Sequence, residues 1–228
     1  MARTTFAQNG LVRLGYETQG DGGPAVLLLH GLLSDRASLR PLSDVLEDDA
    51  TTIVMDLRGH GGSSAIHGVD LQLHELVKDA FAVLDAAYVT TPAVVVGVGL
   101  GAVIAADMQA THPDRVASTV LVNYPTSEML NPETLKEIAT LAYREQAEQA
   151  LNRWLDLAWG EGWKESMPKP RIASARRSAG AIHPLLSAMA DGNIEPRESI
   201  SAPGGLPFED EATLNAVMEQ IRPLLTSG

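Results

Sequence analysis

Apolar and polar positions alternate from Leu11 to Thr18, the period-two pattern of a half-buried strand, and this segment is expected at a sheet edge. Residues 19–24 (QGDGGP) carry a turn signal, and Ala25–Leu29 follows as an unbroken apolar run. Such a run suits a central parallel strand covered on both faces. Further runs stand at Thr52–Met55, Ala93–Val98 and Ser118–Val122, and Leu39–Leu46, Leu71–Tyr88 and Leu100–Thr111 have helical spacing. Strands alternating with helices predict βαβ units, a mostly parallel sheet and right-handed crossovers, which is an α/β fold.

After residue 128 the pattern changes to helical spacing up to about Ala190. All three tryptophans fall here (Trp154, Trp159, Trp163), and Pro168 and Pro170 interrupt the run. The pattern predicts a helical cap over about residues 128–170, inserted into a single domain spanning 1–228, with a return through a helix at Ile172–Ala190. Glu209–Leu225 opens with acids and has helical periodicity, as a closing helix would.

Length and composition narrow the partners. A chain of 228 residues can bury one full core, and 45% hydrophobic residues suit a globular protein. A net charge of −12 argues against nucleic acid and acidic membrane surfaces, because the phosphate term would be repulsive. With no cysteine, thiolate chemistry and disulfides are excluded. Met1–Gly10 holds no apolar run of signal-peptide type, and no segment nears the ~20 apolar residues of a membrane span. A cytoplasmic protein is expected, with a homodimer as the candidate assembly. No dinucleotide fingerprint, phosphate-binding loop or metal-ligand spacing occurs, so neither cofactor nor metal is expected.

Four segments carry chemistry: Val26–Leu33 (VLLLHGLL), Asp56–Ser63 (DLRGHGGS), Val94–Ala102 (VVVGVGLGA) and His112–Val116 (HPDRV). In this order they resemble the α/β-hydrolase family over roughly the first 125 residues: strand and His-Gly oxyanion loop, D-x-R-G-x-G-x-S turn, nucleophile elbow G-x-S-x-G, and the end of the following helix. The resemblance implies the α/β-hydrolase fold with a helical cap. The departures bear on function. Gly99 occupies the nucleophile position of the elbow, where no acyl-enzyme can form without a side chain; glycine there also relieves a strained turn. No late strand with the family's G-x-x-D acid is found, and Ala190–Ser199 passes directly from helix to polar chain, which predicts truncation of the C-terminal strands. Pro203–Phe208 resembles the turn of the family's base, with Gly205 in place of the histidine.

The oxyanion hole needs only backbone N–H groups, so the resemblance implies that it survives at Leu100 and at Leu32 or Leu33, beside His30 and Gly31. The alternative is that these amides hold a water or a carboxylate. His183 is the candidate spare general base, against the plainer reading of a partly exposed helical histidine. His30 and His60 are expected to be structural. Ser34 either donates into the pocket or caps the next helix. Tyr124, after the last core strand, lies where ligands of α/β sheets bind. Trp154 and its companions read first as packing, and their concentration in the lid also suggests a lid touching an apolar ligand; the bases of Arg171–Arg177 read as solvated surface. The expected activity is non-hydrolytic: a small apolar organic molecule with a carbonyl is bound under the cap and is isomerised, cyclised or cleaved by a lyase step, a role the resemblance places in specialised metabolism. A silent binding or interaction module is the alternative, and hydrolysis by another nucleophile ranks last.

Overall fold

The continuous apolar runs are strands because both sheet faces are covered. The protein is described from a computed structural model over residues 4–68, 70–126, 129–197 and 211–226. Strands β1 (Thr5–Asn9) and β2 (Val12–Gln19) form an antiparallel hairpin. They precede β3 (Ala25–Leu29), β4 (Thr51–Met55), β5 (Ala93–Val98) and β6 (Val116–Val122), in the sheet order β1-β2-β4-β3-β5-β6. The last four strands run parallel to one another, and β2 is antiparallel to β4.

Alternate residues face opposite layers. Leu27, Leu29, Ile53 and Val95 point to α2 (Leu73–Ala86) and α3 (Leu100–Thr111). Val26, Leu28, Val54 and Val96 point to α1 (Arg40–Leu46) and the closing helix, which spans Glu211–Leu225. The next helices are α4 (Pro132–Tyr143), α5 (Ala147–Trp159), the short α6 (Trp163–Ser166), α7 (Lys169–Arg177) and α8 (Ile182–Ala190), so the closing helix is α9. Among the described residues no strand follows β6, and α9 packs directly on its outer layer. None of the described helices is long and apolar enough to cross a membrane.

Three expectations change. The edge strand is β1, whose sequence TFAQN buries only Ala7, while fully exposed Leu11 sits in the hairpin turn. One buried residue in five leaves too little periodicity to read. The expected helix at Ile172–Ala190 is two helices, broken by a 3-10 turn at Ala179–Ala181. Pro184 lies in the first turn of α8, where its missing N–H has no intrahelical partner to lose, so the chain restarts there. Pro168 and Pro170 likewise begin α7 rather than merely ending what precedes it.

Candidate ligand site above the elbow

The chain passes from β3 to β4 on one side and then to β5 on the other, so the C-terminal ends of β3 and β5 flank a topological switch point. Such points open a crevice in parallel sheets. The loop of Gly31 and Leu32 leaves β3 here, and Gly99 leaves β5. Gly99 has φ 55° and ψ −114°, a conformation that strains any residue with a Cβ. Its N–H donates to the Val122 carbonyl at 2.9 Å, fixing the turn against β6. A Cβ at Gly99 would make ordinary van der Waals contact with the Gly31 Cα, at 3.6 Å, so a side chain at the nucleophile position has room. Gly101 is required for close approach, since a Cβ there would lie 2.3 Å from the Leu29 carbonyl oxygen. The Leu100 N–H is the first of α3, where amides lack an intrahelical acceptor and the helix dipole favours negative charge.

Two fully buried histidines hold the opposing loop. The N–H of Leu57 donates to His30 Nε2 at 3.0 Å, so the ring proton sits on Nδ1, 2.8 Å from the Gly31 carbonyl. The N–H of Leu33 donates to His60 Nε2 at 3.1 Å, and His60 Nδ1–H donates to the Arg58 carbonyl at 3.0 Å. The rings meet edge to face with centroids 5.1 Å apart. Burial drives His30 down to about 4; it drives His60 to about 3, with the His30 charge adding to the effect. Both rings are therefore neutral props. The Leu33 N–H is engaged by His60 and Leu33 is buried off the cavity, whereas Leu32 is among the residues that line it.

Ser34 also turns away. Its hydroxyl donates to Ser38 at 2.8 Å, and the cap of the following 3-10 turn is Asp35, which accepts the Ala37 N–H at 3.1 Å. Asp35 further accepts the Ser174 hydroxyl of α7 at 2.6 Å, tying the helical layer to this loop. The D-x-R-G-x-G-x-S segment serves structure too: Asp56 is ion-paired with Arg36 and accepts the Gly62 N–H at 2.9 Å, and Arg58 donates to Asp79 at 2.8 Å.

Above Gly99 lies a cavity of about 570 Å³. Its floor is Gly31, Leu32, Val98, Gly99 and Leu100, and Tyr124 stands at its wall. The Tyr124 hydroxyl accepts the Arg197 N–H at 2.6 Å, and burial raises its pKa, so the phenol stays protonated. The roof is soft and aromatic: Trp154, Trp159 and Trp163 with Met129, Met167 and Met189. Trp163 is fixed by donating from Nε1 to Asp156 at 2.9 Å. The three tryptophans of the cap segment all line this cavity; the methionines carried no signal separating them from core.

His183 is not brought to this cavity. Its Nδ1 lies 3.1 Å from the Ala139 carbonyl of α4, and its ring packs on Tyr143. Met189, which does line the cavity, is six residues further along α8, about 240° around the helix, so the two side chains face different neighbours. Conversely Arg171, read from sequence as solvated surface, lines the cavity and lies over the Trp159 ring, 5.3 Å from its centroid. Nothing in its basic surroundings distinguishes it from Arg176 and Arg177, which are exposed. Among the described lining residues Arg171 is the single charged group, with no histidine or carboxylate. Gly205, at the expected base position, lies outside the described residues.

A strand–elbow–helix at a switch point beneath a helical lid is the arrangement of a family that comparison now identifies. Residues 24–146 match the family model described as alpha/beta hydrolase fold, and the chain belongs to that family. It is 39% identical over 106 residues to a pimeloyl-[acyl-carrier protein] methyl ester esterase of Chromobacterium violaceum, covering 46% of this chain and 39% of that protein. It is 33% identical over 115 residues to a 2-(acetamidomethylene)succinate hydrolase of Mesorhizobium japonicum, covering 50% and 40% respectively. The match thus spans less than half the length of these curated relatives. In fold it is similar to an enol-lactonase from Burkholderia xenovorans, with TM-score 0.75 at 17% identity, covering 98% of this chain and all of that one. A thermophilic esterase from Thermogutta terrifontis gives TM-score 0.72 at 20% identity, covering 99% and 100%.

Proposed function

We propose that this chain is a non-hydrolytic member of the alpha/beta hydrolase fold family that binds a small apolar carbonyl compound beneath the helical layer. Catalysis would take the form of isomerisation, cyclisation or a lyase step. The observation that carries this reading is Gly99: the position from which the family's serine would attack is a glycine in the elbow conformation, facing open cavity. Leu32 and Leu100, whose amides the family resemblance makes the oxyanion donors, line the floor. One preorganised donor of this kind contributes about 3–4 kcal/mol to an enolate-like or alkoxide-like transition state. Names such as esterase and hydrolase describe the relatives; here the elbow has no nucleophile to perform that chemistry.

The test is incubation with a serine-directed fluorophosphonate, read by intact-protein mass. No stoichiometric adduct is expected, and activated esters should turn over only at background. One adduct per chain would overturn the reading and favour hydrolysis by another hydroxyl. A second reading, an inert ligand-binding or interaction module, is favoured by the lack of any histidine or carboxylate proton acceptor among the described lining residues. Gly99→Leu separates the two: it fills the cavity, so a variant that melts normally yet keeps its native role would place the working surface elsewhere.

A further inference from the structure

We infer that the cavity selects a flat aromatic ligand over a saturated one, and that the tryptophans and methionines of its roof set this specificity. This rests on the cavity being the ligand site. Three observations converge, and the first is compositional. All three tryptophans of the chain and three of its seven methionines line this one cavity, whereas the buried core is filled mainly by leucine, valine and alanine. A saturated ligand needs no such choice, since leucine and valine would offer it the same apolar surface. Tryptophan adds ring faces and edges that favour stacked or edge-to-face contact with another ring. The thioether of methionine likewise packs favourably against an aromatic edge.

The second observation is that two of the rings are held before a ligand arrives. Trp163 donates from Nε1 to Asp156 at 2.9 Å, and the Lys164 ammonium lies 5.3 Å from the centroid of the same ring. The Arg171 guanidinium lies 5.3 Å from the Trp159 centroid. These contacts order the rings, so the roof loses little freedom on binding. Met129, Met167 and Met189 have unbranched side chains that adjust to the outline of the ligand. The third observation is the floor. A Cβ at Gly99 would lie 3.6 Å from the Gly31 Cα, so the two glycines adjoin and leave a strip without side chains on which a flat face can rest. The cavity of about 570 Å³ equals the liquid volume of about twenty waters, room for two fused rings with a carbonyl substituent.

The experiment compares 2-acetylnaphthalene with its ring-saturated counterpart 2-acetyldecalin by equilibrium dialysis. The two share a carbon skeleton, a carbonyl and a rigid body, and apolar area alone favours the saturated one. The aromatic probe is nevertheless expected to bind about tenfold or more tightly, through several ring and sulfur contacts together. Met167→Leu combined with Met189→Leu keeps the volume of the roof and removes two sulfurs. It should cut the preference several-fold and leave acetyldecalin affinity nearly unchanged. If that variant fails to fold, as judged by thermal melting, Met129→Leu, at a half-buried position ahead of α4, makes the same test. A preference undiminished in the folded variants overturns the assignment to methionine. Equal binding of the two probes, or tighter binding of acetyldecalin, overturns aromatic selection and leaves the cavity reading standing. Binding of neither probe overturns both. 2-Isopropylnaphthalene, with a methyl group in place of the carbonyl oxygen, tests the floor amides separately. Affinity equal to that of acetylnaphthalene would remove the carbonyl from the proposed function and keep the aromatic selection.

Discussion

At Gly99 the elbow carries no side chain where the family's motif places a serine. Gly99→Ser should fold, because its Cβ has room at 3.6 Å from Gly31 Cα, at a cost of about 1–3 kcal/mol for the positive φ. It should not gain hydrolysis: a serine hydroxyl near its free pKa needs an adjacent base, and no histidine is among the described lining residues. Pre-steady-state kinetics with an activated ester check this, and a burst would show that a base is present after all. The residue scale also shows how one local bond redirects a prediction. Leu32 and Leu33 are equivalent in sequence, but the imidazole of His60 accepts the Leu33 N–H, and of the two residues only Leu32 lines the cavity.

Between elements, α7 is tied to the loop after β3 through Asp35. Asp35 joins the Ser174 hydroxyl, the Ala37 N–H and Arg177 at 2.6, 3.1 and 3.3 Å. Burial raises the Asp35 carboxyl, but the Ser174 bond and neighbouring charges outweigh it and hold it below its usual range. Asp35→Ala removes a cap and a tether together and should destabilise by about 1–2 kcal/mol. Ser174→Ala cuts the tether but spares the cap, and should cost less while loosening the roof to a similar degree. Melting temperatures rank the two variants, and acrylamide quenching of the cavity tryptophans should rise in both. Unchanged quenching would mean that α7 is held by apolar packing alone.

For the whole molecule the buried imidazole pair sets the acid limit of stability. His30 and His60 have ordinary values near 6.5 in the unfolded chain and about 4 and 3 in the fold. Below pH ~6.5 the unfolded state takes up protons that the folded state refuses, so stability falls as pH drops, down to the folded values. Asp35 acts in the same direction at lower pH: its stabilisation is present above the unfolded value of 3.8 and is lost as pH falls through the still lower folded value. Urea midpoints should therefore decline from pH 7.5 to pH 5, well above the carboxylate range. A flat profile across that interval would show that the pair does not control acid unfolding. His60→Gln should flatten the slope and lower stability at neutral pH, because the Leu33 N–H loses its acceptor.

The sheet was legible because its strands are short, continuous and apolar: β3 and β5 lie at Ala25–Leu29 and Ala93–Val98, and α3 at Leu100–Thr111, as their patterns predict. Burial on both faces forces that composition, and the elbow's Gly99 and Gly101 follow from backbone geometry that few other residues tolerate. Sequence also determined that position 99 has no nucleophile, since a missing side chain needs no fold to establish it. What tertiary structure alone decided is direction and company. His183 and Arg171 are both polar residues on cap helices, yet α8 turns one toward Ala139 and α7 turns the other into the cavity. Neither outcome is written in local periodicity, because a helix carries its polar residues on whichever face its neighbours leave, and those neighbours come from chain segments tens of residues away.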